Sequence, residues 1–581
     1  MTSLKTYILN HKWSYLAAIL SMIISVSLDM LSPQLTRIMI DDVIINQNLT
    51  YFIPLLIGMA GIGIGRCCFQ YSKEYLFDKT GSRIASDMRI ELFSHIQSLS
   101  ADFFDKNNTG ELMARVKDDI DRIWESLTFI VMLMIEVVLH TGIVLYCMFR
   151  IDARLAIIPT IFMLLSASLA MIMEQKLGII YEEISEENAV LNRVAEENLA
   201  GVRTVKAFAR EKHEIAKFLS HNQKFYELNM KQSNIFIRFY PYFQLITKLL
   251  PLLVILGGGY FVIHDQMTLG SLGAFVEYSM NIVWPMEMLG WLSNGISAAV
   301  ASNRKIKKII AETPTIRDPK DPVIPDTIIG KIEFSHVSYK GDQGNLILND
   351  INFTVLPGKT IGIMGATGAG KSTIIQLLQR LYEPSCGTVC LDDINISTLP
   401  LSLLRGSISV VMQDVFLFSD TITENIRLGK KDSIDDDIIT ASAYHARASE
   451  FIERMDKQYE TIIGERGVGL SGGQKQRISI ARALAKQTPV LVMDDSTSAL
   501  DTETEHQIWS NLNMIYDTTK VIIAHRISAV RSADEILFLD NGSIAERGTH
   551  ETLMKKQGLY YETYLAQYRG AEKFAFMQES F

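Results

Sequence analysis

Nine consecutive residues carry the clearest chemistry in the chain. Gly365-Ala366-Thr367-Gly368-Ala369-Gly370-Lys371-Ser372-Thr373 follow an apolar stretch, Lys359–Met364, and precede an amphipathic one with Ile374, Leu377, Leu378 and Leu381. The order is strand, GxxxxGK[ST] loop, helix. Glycines let successive backbone N–H groups curl around phosphate oxygens, and the helix N-terminus adds positive partial charge. In such a loop Lys371 reaches the β- and γ-phosphates and Ser372 ligates Mg²⁺. The structural alternative is a glycine-rich turn that caps a helix and binds no anion.

Two further segments supply matching parts. Val490-Leu491-Val492-Met493-Asp494 is an apolar run that ends in a carboxylate. As a strand of a parallel sheet it puts Asp494 at the C-terminal edge, where ligands bind. There Asp494 would hold Mg²⁺ through water; the alternative is a strand-end acid capping a turn. Leu470-Ser471-Gly472-Gly473-Gln474-Lys475-Gln476-Arg477 opens a predicted helix over Ile478–Leu484. Ser471 and the glycine N–H groups offer a second phosphate-binding edge. One nucleotide does not need two cradles from one chain. A head-to-tail dimer resolves this, each site joining one chain's Gly365–Thr373 loop to the other's Ser471–Gln474.

The elements that position these groups begin at Lys331. From there, short β-rich runs (Thr360–Gly365, Val490–Asp494, Val521–Ala524) alternate with helical stretches. That pattern marks an α/β domain on a parallel sheet. The chain before residue 300 is different. Six apolar runs lie there: Trp13–Leu28, Phe52–Gly65, Thr128–Phe149, Leu155–Met173, Ile237–Ile263 and Leu269–Leu292. Several approach or exceed the ~20 residues that cross a hydrocarbon core of ~30 Å. Buried core helices are the alternative. Pro314, Pro319, Pro322 and Pro325 then mark a linker, since proline stops helix propagation. The expected division is a membrane domain over 1–312, a linker over 313–330, an ATPase domain over 331–569 and a tail over 570–581.

Composition agrees. Of 581 residues, 48% are hydrophobic and 21% charged, which excludes a disordered chain. A net charge of −9 argues against a generally basic nucleic-acid binder. The five cysteines (Cys67, Cys68, Cys147, Cys386, Cys390) are too few for a disulfide framework and read as free thiols.

Charge bias orients the spans. Lys5, His11 and Lys12 precede the first run, which lacks a small-residue cleavage site, so the N-terminus should be cytoplasmic. The long basic segments 66–127 and 174–236 should be cytoplasmic too. The hairpin Arg150–Arg154 should lie outside, although its two arginines oppose the bias. Helical spacing of Ile84, Met88, Leu92, Ile96 and Leu99 extends helices beyond the membrane. Asp29, Glu136, Glu277, Glu287 and Lys248 lie in or near the runs, with Tyr240, Tyr278, Trp284 and Trp291. Intramembrane acids are costly and usually face a cavity or a partner. An acidic, aromatic cavity suits amphipathic cations; the alternative pairs these acids with Lys248, Arg66 or polar groups. The clusters Gly61–Gly65 and Gly257–Gly259 read as helix-packing sites.

These motifs together resemble ATP-binding cassette (ABC) exporters, specifically half-transporters that fuse one membrane domain to one ATPase domain. The resemblance spans nearly the whole chain. It implies a type-1 exporter fold, a bundle of six transmembrane helices fused to an α/β P-loop ATPase domain, with ATP and Mg²⁺ as cofactors. By the family pattern Gln413 links nucleotide and metal to the membrane domain, and His525 is the switch histidine that senses the γ-phosphate. Thr461–Gly467 resembles the cross-talk loop and Ser498-Ala499-Leu500-Asp501 the dimer-contacting loop. The stretch from Phe103-Phe104-Asp105 to Thr109-Gly110-Glu111-Leu112 resembles the first coupling region, and Glu197–Glu211 the second.

Two positions depart from the family. The residue after Asp494 is normally the glutamate that polarises attacking water; here it is Asp495. Its carboxylate is one methylene shorter, and a misplacement on the order of 1 Å can cost about 10²-fold in rate. The family also places an aromatic against adenine. The frame Ile332, Phe334, Val337, Tyr339 predicts it at position 341, which is Gly341, leaving Tyr339 as the nearest candidate although alternation turns it to the core.

Degenerate Asp495 beside an intact Leu470–Gln474 resembles one subunit of bacterial heterodimeric multidrug exporters. The implied partner is a second half-transporter, in the lipid bilayer of the cytoplasmic membrane, with the ATPase domain cytoplasmic. The implied substrates are hydrophobic small molecules, some of them cationic. A homodimeric drug or lipid flippase in which Asp495 suffices, and a non-hydrolytic regulatory subunit, are the competing readings.

Overall fold

The computed structural model describes residues 4–567, apart from 342–343, 431–432 and 515–516. The expected tail, 570–581, lies outside the described residues. The chain divides into two compact units, residues 1–98 with 107–313, and residues 99–106 with 314–581.

Long helices make the first unit: α1 (Lys12–Ile38), α2 (Phe52–Ser98), α3 (Val131–Ile151), α4 (Ala153–Ala200), α5 (Glu211–Ile263), α6 (Leu269–Asn281) and α7 (Val283–Ala311). Short helical turns continue α1, α2 and α3. Among the described residues five helices are long and apolar enough to cross a membrane: Lys12–Ile45, Leu49–Ser98, Thr109–Ile151, Ala153–Ala200 and Glu211–Ile263. The α5 helix has 53 residues. At 1.5 Å per residue it is about 80 Å long, more than twice a hydrocarbon core. The helices therefore continue past the bilayer, as the spacing predicted. Ile84, Met88, Leu92 and Ile96 all pack inward. Ile53, Ile57 and Ile64, nearer the start of α2, stay exposed, as suits contact with lipid rather than water.

The sixth apolar run, expected as one span over Leu269–Leu292, is divided at Ile282 between α6 and α7. The cause is Pro285. Its ring lacks an N–H and would collide with the carbonyl four residues back, that of Asn281. The His140 Nε2 lies 3.2 Å from this carbonyl. A carbonyl only accepts, so that nitrogen carries the proton. A side chain on α3 thus replaces the backbone donor that proline removed. The glycine clusters divide as well. A Cβ at Gly258 would lie 2.3 Å from Leu272 Cδ1, which marks a close helix contact, whereas Gly61 and Gly63 meet nothing within 4 Å.

The second unit holds two sheets. The strands are β1 (Ile332–Lys340), β2 (Leu346–Val355), β3 (Thr360–Gly365), β4 (Cys386–Leu391), β5 (Ile394–Asn395), β6 (Ile408–Val411), β7 (Val490–Asp494), β8 (Thr519–Ile523), β9 (Glu535–Asp540) and β10 (Ser543–Gly548). The larger sheet has the order β10-β9-β3-β8-β7-β6 and is parallel except for β10. Strands β3, β7 and β8 are apolar and buried, as expected for a sheet covered on both faces. The smaller sheet, β2-β1-β4-β5, is antiparallel and was not anticipated from the sequence. Between the sheets lies a core with Phe334, Phe353, Ile363, Val389 and Val492. A second core, on the other side, holds Ile439, Ile452, Ile478, Leu512 and Ile536.

One polar contact ties α2 to α3 inside the apolar part of the first unit. The Lys73 side chain is 1% exposed, and its Nζ donates to both Glu136 carboxylate oxygens at 2.9 and 2.8 Å. Removing one partner leaves the other charge buried and unmatched, at a cost of about 3–5 kcal/mol. Lys73→Met should therefore lower the unfolding temperature of the detergent-purified protein markedly, and Lys73→Met with Glu136→Leu should recover most of the loss. Equal melting of the single variant and the wild type would show that the pair carries no such stability.

Candidate nucleotide site and membrane cavity

Strand register gathers the site. Ile363 of β3 pairs with Ile523 of β8, Ile523 with Asp494 of β7, and Met493 with Val411 of β6. The chain leaving each strand at its C-terminal end therefore emerges on one edge. On that edge lie the loop after Gly365, Gln413, Asp494 with Asp495, and His525. Gln413 and His525 are both exposed there.

The loop from Gly365 to Gly370 runs into α8 (Lys371–Leu378). Gly365 has φ +148°, and a Cβ there would lie 2.3 Å from the Leu539 carbonyl oxygen, so only glycine fits. Gly368 has φ +83°, and a Cβ would meet nothing within 4 Å; the loop is open on this side. Ala366, Thr367 and Gly368 are exposed, while Ala369 and Gly370 are buried beneath them. Lys371 Nζ curls over the loop and donates to the carbonyls of Gly365 and Ala366, both at 2.8 Å. Ser372 and Thr373 form the first turn of α8 and are half-buried. The open cradle, its N–H groups at a helix start and one lysine fit a polyphosphate.

Electrostatics bind the edge together. Burial pushes the Lys371 ammonium down, and the Asp494 and Asp495 carboxylates push it back up. Burial pushes the Asp494 carboxyl up, a hydrogen bond with Ser372 opposes this, and neighbouring Asp495 raises it further. A hydroxyl and a carboxylate side by side are the hard oxygen donors that suit a magnesium ion. Asp495 sits at φ +41°, in the left-handed region, with its N–H bonded to the Ile523 carbonyl at 2.9 Å. Aspartate tolerates that backbone better than most side chains.

Ser471 to Gln474 lie elsewhere. They open α9 (Gly472–Ala485), which starts earlier than the predicted Ile478. Ser471 Oγ accepts from the Gln474 N–H at 3.3 Å, and Gln474 Oε1 accepts from the Ser471 N–H at 2.9 Å, a reciprocal capping box. Gly472 and Gly473 lie against Ala499, and Gln476 bonds both Ser498 Oγ and the Ala499 N–H. The α9 helix belongs to the core with Ile478, whereas α8 belongs to the core between the sheets. Tyr339 is half-buried at the sheet, its ring centroid 5.9 Å from that of Tyr382. At Gly341 a Cβ would come within 2.9 Å of Asn345 Oδ1 and Ile347 Cδ1.

Sequence reading missed several residues. Tyr382 donates its hydroxyl to the Asp105 carboxylate, and Thr315 Oγ1 bonds Asp102 at 3.2 Å. The helix Ala101–Lys106, which overlaps the start of the expected first coupling region, thus packs in the second unit. Thr497 Oγ1 donates to Glu505 at 2.9 Å and Arg526 to Glu505 at 3.1 Å, joining the segments after Asp495 and His525. The signal for the second network was a basic residue, Arg526, directly after His525.

The first unit has a half-open cleft of about 490 Å³ lined by Asp29, Arg66, Lys73, Glu74, Glu136 and His140 among others. Asp29 pairs with Arg66, as the alternative reading had it, and Glu136 pairs with Lys73. The Glu74 carboxylate accepts from the neutral Gln70 amide at 2.8 Å. Three carboxylates thus face two cations. Trp284 also lines the cavity. Tyr278, by contrast, is fully buried and donates to the Met30 carbonyl at 2.6 Å. The Glu287 and Trp291 side chains lie outside the described residues.

A P-loop ATPase edge in one unit and membrane-length helices in the other define a nucleotide-driven membrane transporter. The ABC transporter transmembrane region matches residues 15–286, and the ABC transporter ATPase family matches residues 348–498. The chain is 34% identical to YgaD of Bacillus subtilis, a putative multidrug export ATP-binding/permease protein, over 96% of this chain and 97% of the relative. It is 32% identical to an ATP-dependent lipid A-core flippase of Syntrophus aciditrophicus, over 96% and 93%. A bacterial Atm1-family ABC exporter with ATP bound superposes with TM-score 0.81 and 26% identity, covering 96% of this chain and 98% of that one. This chain belongs to the ABC transporter family and has the exporter half-transporter fold. It is a membrane-embedded protein with an ATP-binding ABC ATPase domain.

The raised Asp494 carboxyl has a stability consequence. The native state holds that proton more tightly than the unfolded chain, so stability falls as pH rises from the ordinary aspartate range through the native value. Asp494→Asn removes this penalty. In a thermal melt without nucleotide at pH 7, it should unfold at a higher temperature than the wild type. A lower melting temperature without nucleotide would contradict the assignment.

Proposed function

We propose that this chain is the degenerate-site half of an asymmetric ABC exporter that moves hydrophobic and amphipathic small molecules out across the cytoplasmic membrane. The observation that carries the reading is Asp495, a short carboxylate where the family has a glutamate, next to an intact Leu470–Gln474. Crowding at Gly341, where the family stacks an aromatic on adenine, supports a specialised site.

In this reading the Gly365–Thr373 loop wraps the ATP phosphates and Lys371 neutralises them. Ser372, Gln413 and Asp494 hold Mg²⁺, which supplies charge neutralisation at the phosphates. Asp495 faces the attacking water from too far to take its proton efficiently, and His525 contacts the γ-phosphate. Tyr339 is the remaining adenine contact. Ser471–Gln474 close over ATP bound to the partner half, where hydrolysis is efficient. The membrane domain is 1–312, the linker 313–330 and the ATPase domain 331–569, which lies with the N-terminus in the cytoplasm. The surplus carboxylate of the membrane cavity favours substrates with one positive charge. Glu197–Glu211 is the second coupling region. The multidrug-export name of the Bacillus relative agrees with the substrate class, and the lipid A-core flippase keeps a lipid substrate as the second reading.

Turnover measurements test this. The chain alone should hydrolyse ATP at a rate near background and the chain with its partner half robustly. Asp495→Glu should raise turnover by about 10²-fold at most, the loss a 1 Å misplacement causes. Stimulation of the pair by transported drugs separates transport from a purely regulatory subunit. Robust magnesium-dependent turnover by the chain alone would sink the degenerate-site reading in favour of a homodimer.

A further inference from the structure

His525 lies two residues past the end of β8 and beyond its last ladder pair, so its backbone must be held by something other than the sheet. The side-chain amide of Gln567 does this. Gln567 Nε2 donates to the His525 carbonyl at 2.7 Å, and Gln567 Oε1 accepts from the Ile527 N–H at 3.0 Å. A planar amide that satisfies a carbonyl and an N–H two residues apart fixes both the place and the tilt of the segment between them. From the other side Arg526 reaches the Glu505 carboxylate at 3.1 Å and the Ser498 carbonyl at 3.3 Å. The switch segment is thus gripped on both flanks.

Gln567 is itself held firmly. It is the last described residue of a helix that starts at Leu559, whose first N–H groups, on Leu559 and Tyr560, donate to the two oxygens of Glu546 at 3.0 and 3.1 Å. An anion at that end also opposes the helix dipole favourably. Glu546 is 6% exposed, and a Cβ at Gly558 would lie 1.7 Å from its Oε1, so glycine admits the carboxylate. Tyr560 is fully buried and pairs through its hydroxyl with His550 Nδ1 at 2.7 Å. Tyr564 packs on the core that includes Trp509 and Leu553, its ring centroid 6.1 Å from that of His550. The helix is a strut from β10 to the switch segment.

We propose that Gln567 is a positioning residue for His525: the C-terminal helix sets where the histidine meets the γ-phosphate. This rests on the reading of His525 given above. The inference predicts a specific fault. ADP has no γ-phosphate, so a displaced His525 weakens ATP and leaves ADP alone.

The test uses the full-length protein in lipid nanodiscs, purified with whatever partner half accompanies it. Affinities for Mg-ATP and Mg-ADP are read by displacement of a fluorescent nucleotide. Losing hydrogen bonds of this kind should weaken ATP about three- to tenfold. Gln567→Ala should show this with ADP unchanged. Gln567→Glu keeps the length and the acceptor but sets a carboxylate against the His525 carbonyl, and it should behave alike. His525→Ala should lose the same ATP preference, and the double variant should be no worse than His525→Ala alone. Equal weakening of ATP and ADP by both Gln567 variants, or no change in either, overturns the proposal and leaves the helix a packing element. Loss of preference in His525→Ala with none in the Gln567 variants rejects the positioning role alone. No loss in His525→Ala rejects the γ-phosphate reading of the histidine, and this proposal with it.

Discussion

The parallel hydrogen-bonded register of β3, β8, β7 and β6 is the constraint on which the ATPase unit depends. Parallel ladders fix which residues end each strand together, and here the ends carry the phosphate loop, a histidine, two carboxylates and a glutamine. None of these groups needs a long side chain to converge. A shift of one strand by a single residue would turn each of its side chains to the opposite face of the sheet and move its terminal residue off the edge. The buried strands therefore hold the chemistry in place by the same contacts that make the core. Electrostatics then act within that frame: Asp494 and Lys371 are both partly desolvated and each offsets the other's burial.

In the membrane unit the governing cost is that of uncompensated polar groups away from water. Three different answers appear. Lys73 and Glu136 neutralise each other across two helices. Asp29 and Arg66 do the same at the cavity rim. Pro285 removes a backbone donor, and His140 supplies another. Each answer links neighbouring helices, so the devices that satisfy polar groups also fix how the bundle packs.

Much of this was legible in the sequence where local order dictates the result. The loop Gly365–Thr373, the strands over Thr360–Gly365 and Val490–Asp494, and the long helices follow from glycine placement and from apolar periods. Pairings between distant segments were not legible. Lys73 read as a cytoplasmic charge because it lies after the apolar part of its helix, and only the fold brings Glu136 beside it. The antiparallel sheet was missed because β4 joins β1 from beyond β3, the phosphate loop and α8, a pairing that no local pattern signals. The break at Ile282 was readable in principle from Pro285, but an apolar run of sufficient length hid it. Gln567 carries no pattern at all; an amide on a helix acquires meaning only from the loop it faces.

The bond from His140 to Asn281 has a consequence for how this sequence can change. The proline and the histidine are far apart along the chain, yet each makes sense only with the other. Without Pro285 the backbone can close its own ladder and the imidazole loses its acceptor. Without His140 the proline leaves the Asn281 carbonyl without that donor. Either step alone passes through a less stable intermediate, so the two positions are expected to be inherited as a linked pair, and the interrupted helix persists because leaving it requires two simultaneous changes.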